Sequence, residues 1–468
     1  MIEKLAKRKQ IELGLKIKTL EKELEAWFNR SAESGVLEKH HTQIRALQAH
    51  LNGWHVAIDD KLNSYKKQEA DQYLRSCANA EILILSEQRI WDYFRSKLIQ
   101  RHEDLFSSYL QAADEFAWAC YRPIQELIYP DVEDAKRKEP PLVFLNGGAS
   151  PFSVSRDRSF QAESVPGAVL NLTSQDQITK LPIPVVGVPW NQLSHLPEVL
   201  VIGHEVGHIV EDDFGLTVEL KQILNAALTQ ARANKRKKAW HSWLGEIFAD
   251  LYGCLAAGPA FAGTLIDFLA KSKDSISSEE KVAAQLGEYP TDYLRVRIIL
   301  KALELMKFKK EIKDYQSLWA NYSSMMAKGF TEDIDYIVPA LLDGKLKGLR
   351  NKSIKQVFCF SDKQQENVER TLAELKKLKP DTAVEIPTTD IRVLFAALRL
   401  AYELDSEQYV ANEYAKAALD HIKAKVIKKG VRSGEKRLDD KQLEKKLSAY
   451  ESAGADFIKN IMSSLNIN

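Results

Sequence analysis

The segment PEVLVIGHEVGHIVEDD, Pro197 to Asp213, constrains the fold more than any other part of the 468-residue sequence. Proline suits the first turn of a helix, and the apolar residues that follow it predict a helix that is largely buried. Within that helix His204 and His208 lie four residues apart, so both imidazoles point the same way and can bind one metal ion. Glu205 lies beside them, within reach of a water molecule at that ion. Because burying these polar groups is unfavourable unless they are paired or bind a metal, we expect a metal site inside a substantial core.

A chance match is the alternative. The chain has ten histidines, and an HExxH pattern is expected in about one random sequence in a hundred of this composition. In that case the helix belongs to a scaffold and its histidines are satisfied by ordinary hydrogen bonds. The clustering of two imidazoles and a carboxylate in an apolar helix favours the metal interpretation.

A catalytic zinc site needs a third protein ligand and one position open for water. The continuation HExxHxxGxxH, found in metzincins, is absent because Glu211 and Phe214 occupy the positions of its glycine and third histidine. The third ligand could instead be a carboxylate from a later helix. The run WLGEIFADLYG, which begins at Trp243, offers Glu246 and Asp250 one helical turn apart on the same face.

With HEVGH on one helix and EIFAD on another, the chain resembles the gluzincins, zinc peptidases whose third ligand is the glutamate of an ExxxD-type motif. The resemblance covers residues 180–300. It implies that Glu246 is the third zinc ligand and that Asp250 accepts the free ring N–H of His204. It also implies one zinc ion per chain and a zincin-like core, in which a small sheet lies beside the active-site helices.

The run YPTDYLR, Tyr289 to Arg295, is similar to the HPxxxxR element of the CAAX-protease and heat-shock-peptidase group, with tyrosine in place of its histidine. We therefore consider Tyr289, Tyr293 and Arg295 as contacts to the substrate or transition state. For the tyrosines the alternative is ordinary packing, and for Arg295 it is an ion pair that braces the helices. Relatives of this type are commonly embedded in membranes, whereas this sequence has no stretch of about 20 apolar residues.

The expected activity is that of a zinc metallopeptidase, with an endopeptidase favoured. Zinc held by His204, His208 and Glu246 would activate a water molecule, and Glu205 would act as general base. The expected partner is a protein or peptide substrate. The alternative function is a non-catalytic, zinc-stabilised interaction protein, against which the presence of Glu205 argues, because a structural site needs no base.

The overall fold class is expected to be α+β and mostly helical. Residues 1–78 should form a helical hairpin or coiled coil, residues 79–310 the zincin-like domain, and residues 311–468 a mostly helical C-terminal region. The hairpin follows from two apolar sets at helical spacing. They are Leu13, Ile17, Leu20, Leu24 and Trp27, and then Ile44, Leu47, Leu51, Trp54, Ile58, Leu62 and Tyr65. We expect these seams to pack within the chain; a homo-oligomer or a protein partner bound through the helical flanks is the alternative.

Three short β-rich runs precede the motif helix, at 142–145, 168–172 and 183–188. The prolines around the third run predict an edge strand, because proline cannot donate to a sheet ladder, and such an edge could align a peptide. A further strand is expected at 357–360.

Composition excludes several classes of protein. Lys and Arg (66) nearly balance Asp and Glu (65), so no nucleic-acid partner is expected. The four cysteines lie far apart and form no CxxC pair, which argues against a disulfide framework and favours a cytoplasmic location. The N-terminal residues lack the apolar core of a secretory signal, and no membrane span is expected.

Overall fold

The computed structural model describes residues 1–33, 35–66, 68–131, 136–156, 181–272, 287, 289–320, 322, 328–379, 385–427, 432, 434–436 and 438–464. Within these residues the protein is α+β and mostly helical, with one small sheet, as the sequence predicts at this level. None of the described helices combines the length and apolar character that are needed to cross a membrane.

The helices of the described residues are labelled in chain order. Helices α1 to α9 span Ile2–Glu33, His41–Tyr65, Ala70–Leu98, Asp104–Ile128, Ile202–Asp213, Thr217–Gln230, Lys237–Ser242, Leu244–Ala257 and Pro259–Phe268. Helices α10 to α18 span Asp292–Leu305, Lys313–Trp319, Lys328–Asp343, Ile354–Val357, Asp362–Leu375, Ile391–Leu404, Ser406–Ala411, Tyr414–His421 and Asp440–Ser464.

In the part of the chain that the structure describes, the sheet has three strands, β1 (Leu142–Asn146), β2 (Phe152–Val154) and β3 (Val185–Pro189), in the spatial order β1-β3-β2. β3 runs parallel to β1 and antiparallel to β2. The prediction that the third run is an edge strand is therefore wrong. Its prolines do not break the ladder, because Pro184 precedes β3, where its carbonyl accepts a hydrogen bond from Leu142, and Pro189 is the last residue of the strand.

Two other predicted strands have different outcomes. The run at 168–172 lies outside the described residues. The prediction of a strand at 357–360 is wrong. Helix α13 ends at Val357, and Phe358 and Phe360 belong to an irregular segment that is buried in the main core. Their aromatic side chains serve packing rather than sheet formation.

Side chains seal the outer edge of β1. Gln100 accepts a hydrogen bond from the Leu145 N–H and donates one to the Leu145 carbonyl, both at 2.8 Å. Asp114 accepts from the Val143 N–H at 3.2 Å, and Arg101 donates to the Val143 carbonyl at 2.7 Å. These groups take the place of a fourth strand, so β2 supplies the other edge of the sheet, the one beside α5.

The sheet lies between two hydrophobic clusters. Leu142, Phe144 and Val185 face a cluster formed with α1, α2, α3 and α18. The alternate residues, such as Val143 and Val186, face the main core, which contains α4 and α5. The N-terminal helices therefore cover one face of the sheet.

The first apolar seam is buried within the chain, where α1 packs mainly against α3. Helix α2 packs along α18, at the other end of the sequence. Gly53 of α2 and Gly454 of α18 allow this contact, because a Cβ atom at either position would overlap the backbone of the other helix. The sequence did not predict this pairing.

Candidate metal centre

The motif helix α5 is preceded by a 3₁₀ helix, Leu196–Val201, which contains Pro197 near its start. Helix α5 packs against α4, α8 and the sheet, and its apolar side chains are buried in the main core. A helix apolar on most sides is stable only when it is enclosed in this way. The burial of the apolar side chains of α5 thus places the HEVGH motif inside the protein.

Helices α5 and α8 lie close together because α5 carries glycines where α8 contacts it. A Cβ atom at Gly207 would lie 2.8 Å from Tyr252 Cβ and 3.0 Å from Ala249 Cα. One at Gly203 would lie 3.1 Å from Ala256 Cβ. Non-bonded carbon atoms normally approach to about 3.5–4.0 Å. Glycine at these two positions therefore permits an approach that a larger residue would prevent.

The close approach brings three metal-ligating side chains together, His204 and His208 from α5 and Glu246 from α8. The Nε2 atoms of the two imidazoles are 3.2 Å apart. The carboxylate oxygens of Glu246 lie 3.4 Å from His204 Nε2 and 3.4 Å from His208 Nε2. The exposed fractions of these side chains are only 8%, 13% and 16%, so the cluster is enclosed but not sealed from solvent.

The spacing fits a zinc ion. Ligands placed tetrahedrally at about 2.0–2.1 Å from zinc are about 3.3–3.4 Å from one another. The 3.2 Å between the two Nε2 atoms is close to that spacing, and each carboxylate oxygen of Glu246 lies 3.4 Å from one of them. One ligand atom from each of the three residues lies within 4.8 Å of the other two. In addition, the buried Glu246 Oε2 lies 3.4 Å from His204 Nε2, where a shared cation would satisfy both atoms.

Asp250, one turn after Glu246, fixes the orientation of His204. Its Oδ1 atom accepts a hydrogen bond from His204 Nδ1 at 2.8 Å, which leaves the lone pair of Nε2 directed towards the cluster. Arg295 donates to both oxygens of Asp250, at 2.7 and 2.8 Å. Burial acts to raise the pKa of Asp250, but Arg295 and His204 hold that pKa well below its usual range. The carboxylate is therefore ionised.

The charges of the centre favour a cation. Glu205, Glu246 and Asp250 contribute three carboxylates, and Arg295 contributes one positive charge, so a divalent ion would balance the site when the imidazoles are neutral. In the metal-free state a proton on His204 supplies part of this positive charge. Burial alone would lower the pKa of His204, but its hydrogen bonds to Asp250 and Glu246 raise that pKa to about 9.

Glu205, the expected base, is 6% exposed. Burial raises its pKa, and the charge of His204 and a hydrogen bond from Ser153 offset part of the rise. Ser153 is the middle residue of β2 and was missed by the sequence analysis. The only signal for it was a serine between two apolar residues, a pattern too short to identify a strand.

The remaining candidate residues lie around the start of α10. Arg295 contacts Asp250 and so reaches the centre through another side chain. Tyr289 is 54% exposed, and its ring centre lies 5.9 Å from the Arg295 guanidinium carbon. Tyr293 is partly buried against the main core. Of the two tyrosines, Tyr289 is the one at the surface, and its ring lies near Arg295.

Known proteins give no further guidance. No protein-family model matches the chain, and no curated protein or solved structure is significantly similar to it.

Proposed function

We propose that this chain is a zinc-dependent peptidase of the gluzincin type, with a zincin-like core. The observation that carries the proposal is the convergence of His204, His208 and Glu246 at zinc-ligand spacing, with a buried glutamate at position 205. Three protein ligands leave one position for water, as in catalytic rather than structural zinc sites.

When bound here, zinc would lower the pKa of a water molecule and polarise the scissile carbonyl. Glu205 accepts a proton from the attacking water and delivers it to the leaving amine. Its buried position favours these transfers, because desolvation raises the pKa of the carboxyl group towards neutrality. Asp250 and Arg295 do not move protons; they hold His204 in one tautomer and orientation.

The substrate is an extended peptide that adds to the sheet at the outer edge of β2. Two observations favour this edge over the one expected from the sequence. β3 is the central strand, and the outer edge of β1 is occupied by Gln100, Arg101 and Asp114. β2 packs against α5, so a peptide on its edge would lie beside the metal centre.

The test is the substitution Glu205→Gln, which keeps the size of the side chain but removes its ability to accept a proton. We expect the variant to retain about one zinc per chain and to lose hydrolysis of a pool of internally quenched peptides, with products mapped by mass spectrometry. Glu198→Gln is the matched control, because Glu198 lies in the 3₁₀ helix before α5 rather than in the metal centre. It should cleave like the parent.

Three results would contradict the proposal. Equal cleavage by the parent and Glu205→Gln would show that Glu205 is not the base. A parent that binds one zinc tightly but cleaves no peptide would instead support the zinc-stabilised interaction protein. A parent that purifies without metal, and takes up none, would support a chance motif on a helical scaffold.

A further inference from the structure

The outward face of α1 carries a second regular set of side chains. The buried seam of this helix, which includes Leu13 and Ile17, packs towards α3. The second set has alternating spacings of four and three residues, so its members share one face, and the helical repeat places that face opposite the seam. We call it the outer stripe, and it consists of Lys4, Arg8, Ile11, Leu15, Lys18 and Lys22. All six side chains are exposed, along a length of about 27 Å.

The outer stripe is positively charged at both ends and apolar in the middle. Ile11 and Leu15 are 57% and 61% exposed, and two cations flank them on each side. None of these four cations forms an ion pair with a residue that the structure describes. By contrast, Lys9 and Lys16, on the flank towards α3, both pair with Glu81. The positive charges of the stripe are therefore available to an external partner.

The positive charge is local to this helix. Residues 1–22 contain seven Lys and Arg and three Glu, whereas the whole chain has a formal net charge of +1. We propose that the outer stripe is a docking surface for an anionic lipid bilayer, on which α1 lies flat. Its cations would bind the lipid headgroups, while Ile11 and Leu15 enter the boundary between headgroups and acyl chains.

Charge complementarity favours this partner over two others. A second copy of α1, in either direction along the stripe, would bring cations against cations, which repel each other. A nucleic acid would neutralise the cations through its phosphates but would leave the apolar middle of the stripe without a partner. A bilayer offers negative charge at its surface and apolar chains beneath, which matches long basic side chains around two apolar ones.

The position of α1 in the fold permits this contact. The helix packs against α3 and α2, and these lie on the side of the buried seam. A flat surface can therefore approach the outer stripe without displacing either helix. The inference goes beyond the proposed function and does not depend on the metal centre.

The test is sedimentation of the full-length protein with vesicles. The parent should bind vesicles that contain phosphatidylserine, should not bind pure phosphatidylcholine, and should bind more weakly as salt is added. Each cation near an anionic surface strengthens binding about fivefold, so Arg8→Gln with Lys18→Gln should weaken it at least about tenfold. Ile11→Gln with Leu15→Gln should also weaken it at least about tenfold, because the apolar contact is lost.

Lys363→Gln with Lys376→Gln is the matched control, because these exposed lysines lie at the two ends of α14 and the change in charge is the same. It should bind like the parent. The inference is overturned if the parent does not bind phosphatidylserine vesicles, or if the variant of Arg8 and Lys18 binds as well as the parent or the control. Tighter binding of the parent to duplex DNA or polyglutamate than to vesicles would also overturn it, since the partner would then be an acidic macromolecule.

Discussion

The glycine at position 207 should control zinc affinity, because it sets the distance between the two ligand-bearing helices. In Gly207→Ala the new methyl group would lie 2.8 Å from Tyr252 Cβ and 3.0 Å from Ala249 Cα. Relative to a normal contact of about 3.5 Å, the helices must separate by about 0.5–0.7 Å. Metal sites tolerate deviations of only about 0.2 Å in ligand distances. The displacement therefore exceeds what Glu246 can absorb while it shares an ion with the histidines.

The expected effect is at least about a tenfold loss of zinc affinity, comparable with the loss on disturbing groups that orient metal ligands. The free energy of unfolding of the metal-free protein should fall by no more than about 2 kcal/mol. Overpacking opposes folding by about 1–3 kcal/mol, and alanine in a helix interior recovers about 1 kcal/mol relative to glycine. Competition with a chromophoric chelator measures the affinity, and urea denaturation of the metal-free protein measures the stability.

Gly245→Ala is the control for this experiment. Gly245 is adjacent to Glu246, but a Cβ atom there would meet only Glu211 Oε2, at an ordinary 3.6 Å. Its zinc affinity should match that of the parent. If Gly207→Ala also binds zinc like the parent, the close helix approach does not set the geometry of the centre.

Three further predictions concern the surroundings of the centre. Arg295→Ala leaves the buried carboxylate of Asp250 without its cation and should lower the free energy of unfolding by about 3–5 kcal/mol; a urea midpoint equal to the parent's would contradict this. Because the pKa of His204 is raised to about 9 from 6.5, its protonation stabilises the metal-free fold fully below about pH 6.5. This contribution should be lost as the pH rises through 9, so metal-free protein should lose stability over that range more than zinc-loaded protein does, as thermal unfolding at several pH values would show. Gln100→Ala leaves an N–H and a carbonyl of β1 unpaired and should destabilise the protein by about 1–3 kcal/mol in the same denaturation assay.

The N-terminal helices are expected to be integral to the fold rather than a removable cover. A deletion of residues 1–65 would expose the sheet face formed by Leu142, Phe144 and Val185, which those helices bury. Such a truncation should therefore destabilise the main fold, because that apolar face would be exposed to water.

Local patterns in the sequence predicted the helices well, because apolar spacing and helix capping act over a few residues. The spacing of His204 and His208 and of Glu246 and Asp250 was enough to place each pair on one helix face. It could not show that the two helices touch. That contact depends on Gly203 and Gly207, whose role becomes visible only when α8 is placed against them.

The sequence did not predict the contacts between residues far apart in the chain, such as the order of the strands and the side chains that pair with β1. The position of β3 at the centre of the sheet depends on β2, a strand of three residues with no detectable periodicity. Prolines near β3 suggested an edge, yet they lie where the ladder begins and ends. The side chains that seal β1 come from a separate helical segment, and no local pattern marks Gln100 as a partner of Leu145.

The central claim is that two imidazoles and one carboxylate from two helices hold a single zinc ion with a position left for water. Zinc K-edge X-ray absorption of the purified, zinc-loaded protein tests it most directly. We expect about one zinc per chain, with nitrogen and oxygen donors at about 2.0–2.1 Å, two of them imidazoles, and no sulfur donor. A sulfur shell at about 2.3 Å, or a spectrum without the two imidazoles, would contradict it.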